Sequence, residues 1–115
     1  MDTILQALGN TPGIEASLVV SRDGLVIEQN GRLDGVDADT LAVSASEILS
    51  AAESAAERSE KGAVDSVLVE IGSANVMLSP VNGEVFLMVL ARKKANLGLM
   101  RLESLASAEK LKSEL

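Results

Sequence analysis

The chain has 115 residues, 47% of them apolar and 23% charged, with a net charge of −7. That length suits one domain with its own core, so residues 1–115 are expected to fold as a single unit. Without histidine or cysteine the sequence offers no Ser-His-Asp or Cys-His triad, no ordinary zinc site and no disulfide, and its acidic balance argues against nucleic acid and anionic membrane as partners.

Phe86 is the one aromatic residue, so the core must be built from Leu, Val, Ile, Ala and Met. The opening MDTILQALGN lacks the basic and long apolar regions of a signal peptide. The longest apolar run, Val85 to Ala91, falls far short of the ~20 residues of a membrane-spanning helix. A soluble, cytoplasmic protein is the expectation.

Asp2 to Leu8 is predicted to be a short helix, with Ile4, Leu5 and Leu8 on one face, Asp2 as a cap and Gly9 as its end. Asn10 to Gly13 is a turn. Ile14 to Ser21 reads as a strand. Asp23-Gly24 supplies hairpin chemistry, and Leu25 to Asn30 returns. The consecutive Leu25, Val26 and Ile27 suggest a strand covered on both faces.

Asp37 to Lys61 is the one long, strongly periodic helix, capped by Asp37 or Asp39 and stopped by Gly62. At about 100° per residue, Leu41, Ala42, Ala45, Ile48, Leu49, Ala52, Ala55 and Ala56 share one arc, while Glu47, Glu53, Glu57 and Glu60 lie mostly opposite. Alanine-rich arcs let another backbone come close. Two readings stand: a core helix lying tightly on a sheet, or a helix that also meets a second copy or a partner. Val43 and Ala51, which fall outside the arc, favour the second.

After Gly62 the period returns to two. Val64 to Ile71 reads as a long, flat strand, with Val67, Val69 and Ile71 pointing one way and Ser66, Leu68 and Glu70 the other. Asn75 to Ser79 is a strand ended by Pro80, and Asn82-Gly83 is the strongest hairpin signal in the chain. Glu84 to Ala91 is the most apolar strand and belongs in the middle of the sheet. Asn96 to Leu115 is a last helix with Asn96 as its cap. Leu97, Met100, Ala108, Leu111 and Leu115 lie on one side, and Leu99, Leu102, Leu105 and Ala106 on another. The order α-β-β-α-β-β-β-α predicts an α+β fold, a three-layer α/β/α sandwich around an antiparallel sheet.

Chemistry is scarce. No glycine-rich phosphate loop occurs. Asp34, Asp37 and Asp39 do not have calcium-loop spacing. Arg22 and Asp23, like Arg32 and Asp34, read as ordinary turn residues. No catalytic residue, cofactor or metal ligand is expected, and a carboxylate-only enzyme is a remote alternative.

Several stretches together carry a resemblance: Pro12-Gly13-Ile14, Leu18-Val19-Val20 with Asp23-Gly24-Leu25, the Ala-rich helix from Thr40, Val67 to Glu70, Val76 to Pro80, Val85 to Leu90, and Asn96-Leu97-Gly98-Leu99-Met100-Arg101-Leu102. The chain resembles the Roadblock/LC7 domain family, and within it the prokaryotic MglB-like proteins. The resemblance implies a profilin-like fold with a five-stranded antiparallel sheet, the middle helix on one face and the terminal helices on the other. It implies a homodimer in which middle helices pair and third strands join the sheets. It also implies binding of a Ras-like, MglA-like small GTPase, as a regulator in cell polarity and a GTPase-activating protein candidate that acts without an inserted arginine. The interface so implied comprises Val43, Glu47, Ala51, Glu53 and Glu57 on the middle helix and Val64, Ser66, Leu68 and Glu70 on the third strand. A structural assembly module that joins other proteins without touching nucleotide turnover is the alternative.

Overall fold

The computed structural model describes Met1–Leu115. The chain runs α1 (Asp2–Leu8), β1 (Ile14–Ser21), β2 (Val26–Gly31), α2 (Ala38–Ser59), β3 (Val67–Glu70), β4 (Ala74–Pro80), β5 (Val85–Arg92) and α3 (Leu97–Glu114). The strands form one antiparallel sheet in the order β2-β1-β5-β4-β3. The most apolar segment, β5, takes the centre, and β2 and β3 are the edges.

Side chains alternate across a strand, so β5 feeds two cores at once. Phe86 and Met88 join Leu18, Val20, Leu78 and the α2 residues Ala42, Ala45 and Leu49. Leu87 and Val89 join Leu5 and Leu8 of α1 and Met100, Ala108 and Leu111 of α3. The middle helix thus lies on one face and both terminal helices on the other, as the resemblance implied. The buried polar residues Ser17, Asn75 and Ser79 pair across the sheet with Val89, Ala91 and Leu87, all on the α1/α3 side. The α2 side of the sheet is the drier layer.

The hairpins follow local chemistry. Gly24 has φ +88, and the Ser21 N–H donates to the Leu25 carbonyl across that turn. The second hairpin is held by the Asn82 side-chain oxygen, which accepts from the N–H groups of Glu84 (2.8 Å) and Val85 (2.9 Å). Asn96 caps α3 as expected, accepting from the Leu99 N–H at 2.9 Å. Asp37 caps α2, accepting from the Asp39 N–H and from the Thr40 hydroxyl at 2.6 Å.

Five expectations are corrected. Asp2 lies inside α1 and accepts from Gln6 instead of capping the helix. Leu25 is 68% exposed and Ile27 46%, because β2 is an edge strand with a bulge, not a strand covered on both faces. The long helix ends at Ser59, three residues before Gly62. The Ser59 hydroxyl donates to the Ala56 carbonyl and accepts from the Lys61 N–H, and Glu60 takes the left-handed conformation. The third strand is four residues long, not eight, because the segment before Val67 makes no ladder to β4. Ile48 is 40% exposed and Ala55 is exposed, since the covered arc of α2 is narrower than its apolar arc.

Two predictions follow from this packing. Leu49→Ala should lower unfolding free energy by about 2–5 kcal/mol, whereas Leu25→Ala should change it by less than about 0.5 kcal/mol; urea melts check both. The Thr40 hydroxyl first, with the Asp39 and Thr40 N–H groups, holds the Asp37 carboxyl below its ordinary value of 3.8. The stabilisation is therefore present above that value and fades as pH falls through the lower folded-state pKa. Thr40→Val should raise the Asp37 titration midpoint, read by carboxyl carbon NMR.

Candidate partner-binding surface

One border of the α2 apolar arc, with the positions next to it, has a regular spacing. Leu41, Ser44, Ile48, Ala51 and Ala55 alternate by three and four residues and lie within about 80° of helix surface. That is the spacing by which one helix packs lengthwise against another, and the small side chains permit a short interaxial distance. This flank faces β3: Leu41, Ser44, Ala45 and Ile48 line an apolar furrow of about 50 Å³ with Val69, Ile71, Val76 and Leu78. Leu41 also borders a cleft of about 490 Å³ with Val36, Ile71 and Leu90 on its walls and Glu15 and Asp34 on its rim. At the other end of α2, Glu53, Ala56, Glu57, Gly62, Ala63 and Val64 form a cleft of about 240 Å³.

The flank runs beside a free strand edge. β3 pairs only with β4, and Val67 and Val69 are half-buried while Ile71, just beyond it, is 47% exposed. The opposite edge, β2, has a bulge and carries Glu28, Gln29 and Asn30 before its final Gly31, features that discourage pairing with another strand. β3 has neither a bulge nor a run of polar residues.

The residues singled out from the sequence do not form one patch. Ala51 lies on the flank toward β3, and Val64 packs half-buried against the α2-side core. Val43, 48% exposed, and Glu47 face away from the sheet. The β1–β2 turn abuts that part of α2: a Cβ on Gly24 would sit 3.0 Å from the Val43 Cα. Glu57 is exposed beside the cleft at the end of α2. Leu68 and Glu70 pair with Met77 and Asn75 and therefore point to the α1/α3 face. Leu68 is 39% exposed, and Glu70 lies 3.9 Å from the Lys93 ammonium. Ser66 is half-buried just before β3.

Glu53 is engaged within the chain. Its carboxylate forms an ion pair with the Arg22 guanidinium, which also donates to the Asn82 carbonyl at 2.7 Å. The Arg22 N–H donates to the Glu84 carbonyl at 2.8 Å. Arg22 is thus no ordinary turn residue: it ties both hairpin tips to α2. Sequence reasoning missed it because its partners lie 31 and 60 residues away. Ile48, Ser44 and Ala55 were also missed as surface residues, although their three-four spacing was a readable signal. Asp34 pairs with Arg32 at 3.7 Å and Asp37 caps α2, so the aspartates of this segment have local roles. No group of three His, Cys, Asp or Glu side chains is placed to hold a metal ion, and no helix is long and apolar enough to cross a membrane.

Replacing Arg22 by alanine should cost about 1–3 kcal/mol, because a partly buried carbonyl and carboxylate lose a charged donor together. Arg22→Lys should recover only part of it, since an ammonium cannot span both acceptors as a guanidinium does. Urea melts give the cost, and faster amide exchange at Glu84 and Val85 would locate it.

Comparison with known proteins places this geometry in a lineage. An uncharacterized protein of Methanocaldococcus jannaschii is 39% identical over 114 residues, covering 98% of this chain and 97% of the relative. The crystal structure of a Roadblock/LC7 domain from Streptomyces avermitilis superposes with a TM-score of 0.88 at 28% identity, covering 99% of this chain and 96% of that one. Myxococcus xanthus MglB shares the fold, with a TM-score of 0.88 at 19% identity over 97% of this chain and 91% of its own. The family model described as Roadblock/LC7 domain matches residues 1–91, and the chain belongs to that family.

Proposed function

We propose that the protein is a non-catalytic homodimer that serves as a binding platform for a Ras-like, MglA-like small GTPase. The observation that carries the dimer is the continuous apolar strip formed by the α2 flank and the free β3 edge. A two-fold axis beside β3 sets each flank against its copy and pairs the two open edges, a self-complementary contact. Ile48 and Ala51 then meet their counterparts, Val64, Ser66, Leu68 and Glu70 flank the joined strands, and Ile48 ceases to be exposed. The GTPase follows from the family resemblance. It would rest on the outward side of α2 at Val43 and Glu47, with Glu57 nearby and Glu53 held by Arg22. Apolar contacts there supply most of the affinity, and the carboxylates supply orientation and on-rate. The absence of His, Cys and Tyr agrees with a role that leaves chemistry to the partner.

Sedimentation at micromolar concentration should give about twice the 11.9 kDa chain mass. Because Ile48 is partly exposed, Ile48→Asp should yield a folded monomer with unchanged circular dichroism, and Ala51→Glu should weaken the dimer. A clean wild-type monomer removes the dimer reading. For the partner, titration with a Ras-like GTPase from the same genome should show preference for the GTP-analogue state, and Val43→Arg should weaken binding without dissociating the dimer. If hydrolysis is stimulated, alanine at Arg22, Arg32, Arg58, Arg92 or Arg101 should reduce turnover only as far as binding is lost. A fall near the ~10³ of an arginine finger, with binding intact, overturns the mechanism without an inserted arginine. Binding with no change in turnover favours the assembly-module alternative.

A further inference from the structure

Charge is unevenly distributed along this acidic chain. Residues 92–115 carry six Lys or Arg and three Glu, while residues 1–91 carry four Lys or Arg and fourteen Asp or Glu. The positive segment is α3 with the turn leading into it, on the face of the sheet opposite α2. Arg92 is exposed at the end of β5, Lys93 and Lys94 in that turn, and Arg101, Lys110 and Lys112 on the helix.

The same helix has more apolar residues than its packing uses. Met100, Ala108 and Leu111 face the sheet, with the small Ser104 and Ser107 between them. On the outer side Leu99, Leu102, Leu105 and Ala106 share an arc of about 120°. Leu102 is 63% exposed, and Leu99 and Leu105 are half-buried. Leu102 and Arg101 belong to the Asn96–Leu102 stretch. In it Asn96 caps the helix and Met100 fills the core, while Arg101 and Leu102 do neither. Helical spacing puts Arg101 and Lys112 along one border of the leucine ridge and Lys110 with Glu103 along the other, while Glu109 is the one carboxylate on the arc itself.

We propose that this ridge docks an acidic amphipathic helix of a partner protein, distinct from whatever binds α2. Leucines at i, i+3 and i+6 match the apolar stripe of an incoming helix, and the basic border of Arg101 and Lys112 selects carboxylates beside that stripe, as flanking charges do in paired helices. A protein partner fits better than an anionic bilayer, because the remaining ninety-one residues carry a net charge of −10 and repel an extended negative surface. They leave α3 as the one face where an acidic segment meets attraction. The inference does not depend on the GTPase reading, since the two surfaces lie on opposite faces of the sheet.

The test is selection of a display library of random peptides of about 18 residues, roughly five helical turns, on the intact protein at low salt. Enriched peptides should carry Leu, Ile or Val at helical spacing with net negative charge, and their binding should weaken as salt is added. They should bind Leu102→Gln and the double variant Arg101→Glu/Lys112→Glu at least about tenfold more weakly than the wild type, a loss typical of removing a central contact. Both variants change exposed side chains, so circular dichroism and assembly mass should match the wild type. Peptides without acidic bias, equal binding to the variants, or no enrichment over a Leu102→Gln control would overturn the proposal. Vesicles of phosphatidylserine and phosphatidylcholine form the second arm. Binding there that Leu102→Gln abolishes, with no peptide enriched, assigns the ridge to lipid and overturns it as well.

Discussion

The two-sidedness of β5 is the constraint on which the other elements depend. Phe86 and Met88 anchor one core, Leu87 and Val89 the other, and all four are fully buried. Each such side chain contributes roughly 1.5–3 kcal/mol of burial. No position between Phe86 and Val89 can turn polar without undermining one layer. β1 and β4 take their places because they can supply apolar residues to both faces beside it. The helices then sort by face: α2 to the drier side, α1 and α3 to the side where Ser17, Ser79 and Ser104 sit among the apolar groups.

Placing β5 in the centre leaves two edges, and they are unequal. β2 is bulged and polar toward its end, which blunts it. β3 is short, apolar on its α2 side and lies beside the least covered flank of α2. The small residues Ser44, Ala51 and Ala55 leave α2 shallow on that flank. The apolar surface of helix and strand is thereby continuous. The Arg22 tether works from the other flank, fixing both hairpin tips to α2 and so holding the helix at a set height over the sheet.

The two outward helical faces differ in chemistry as well as position. The exposed side of α2 carries carboxylates and small residues, whereas α3 carries leucines between basic residues. The sheet lies between them.

Much of the architecture was legible in the residue pattern. The unbroken apolar run in β5, the Asp-Gly and Asn-Gly turns, the Asn96 cap and the long alanine-rich helix are local signals, and element order followed from them. The resemblance added the distribution of helices over the two faces. Helix periodicity separated polar from apolar sides of α2 but could not say how wide a strip the sheet would cover. Ile48 and Leu49 are adjacent and equally apolar, yet Leu49 is fully buried and Ile48 is 40% exposed. Their difference is set by where α2 lies over the strands, a property of no single segment. Likewise nothing near Arg22 in the sequence announces Glu53 or the Asn82 carbonyl, because an ion pair across 31 residues exists only once two hairpins and a helix have met. By itself the sequence determined which segments become helix or strand and which strand must be central, since these rest on local hydrogen bonding and on apolar residues at each step. Only the tertiary structure decided which apolar residues stay uncovered, because coverage depends on the relative placement of layers that the chain brings together from distant positions.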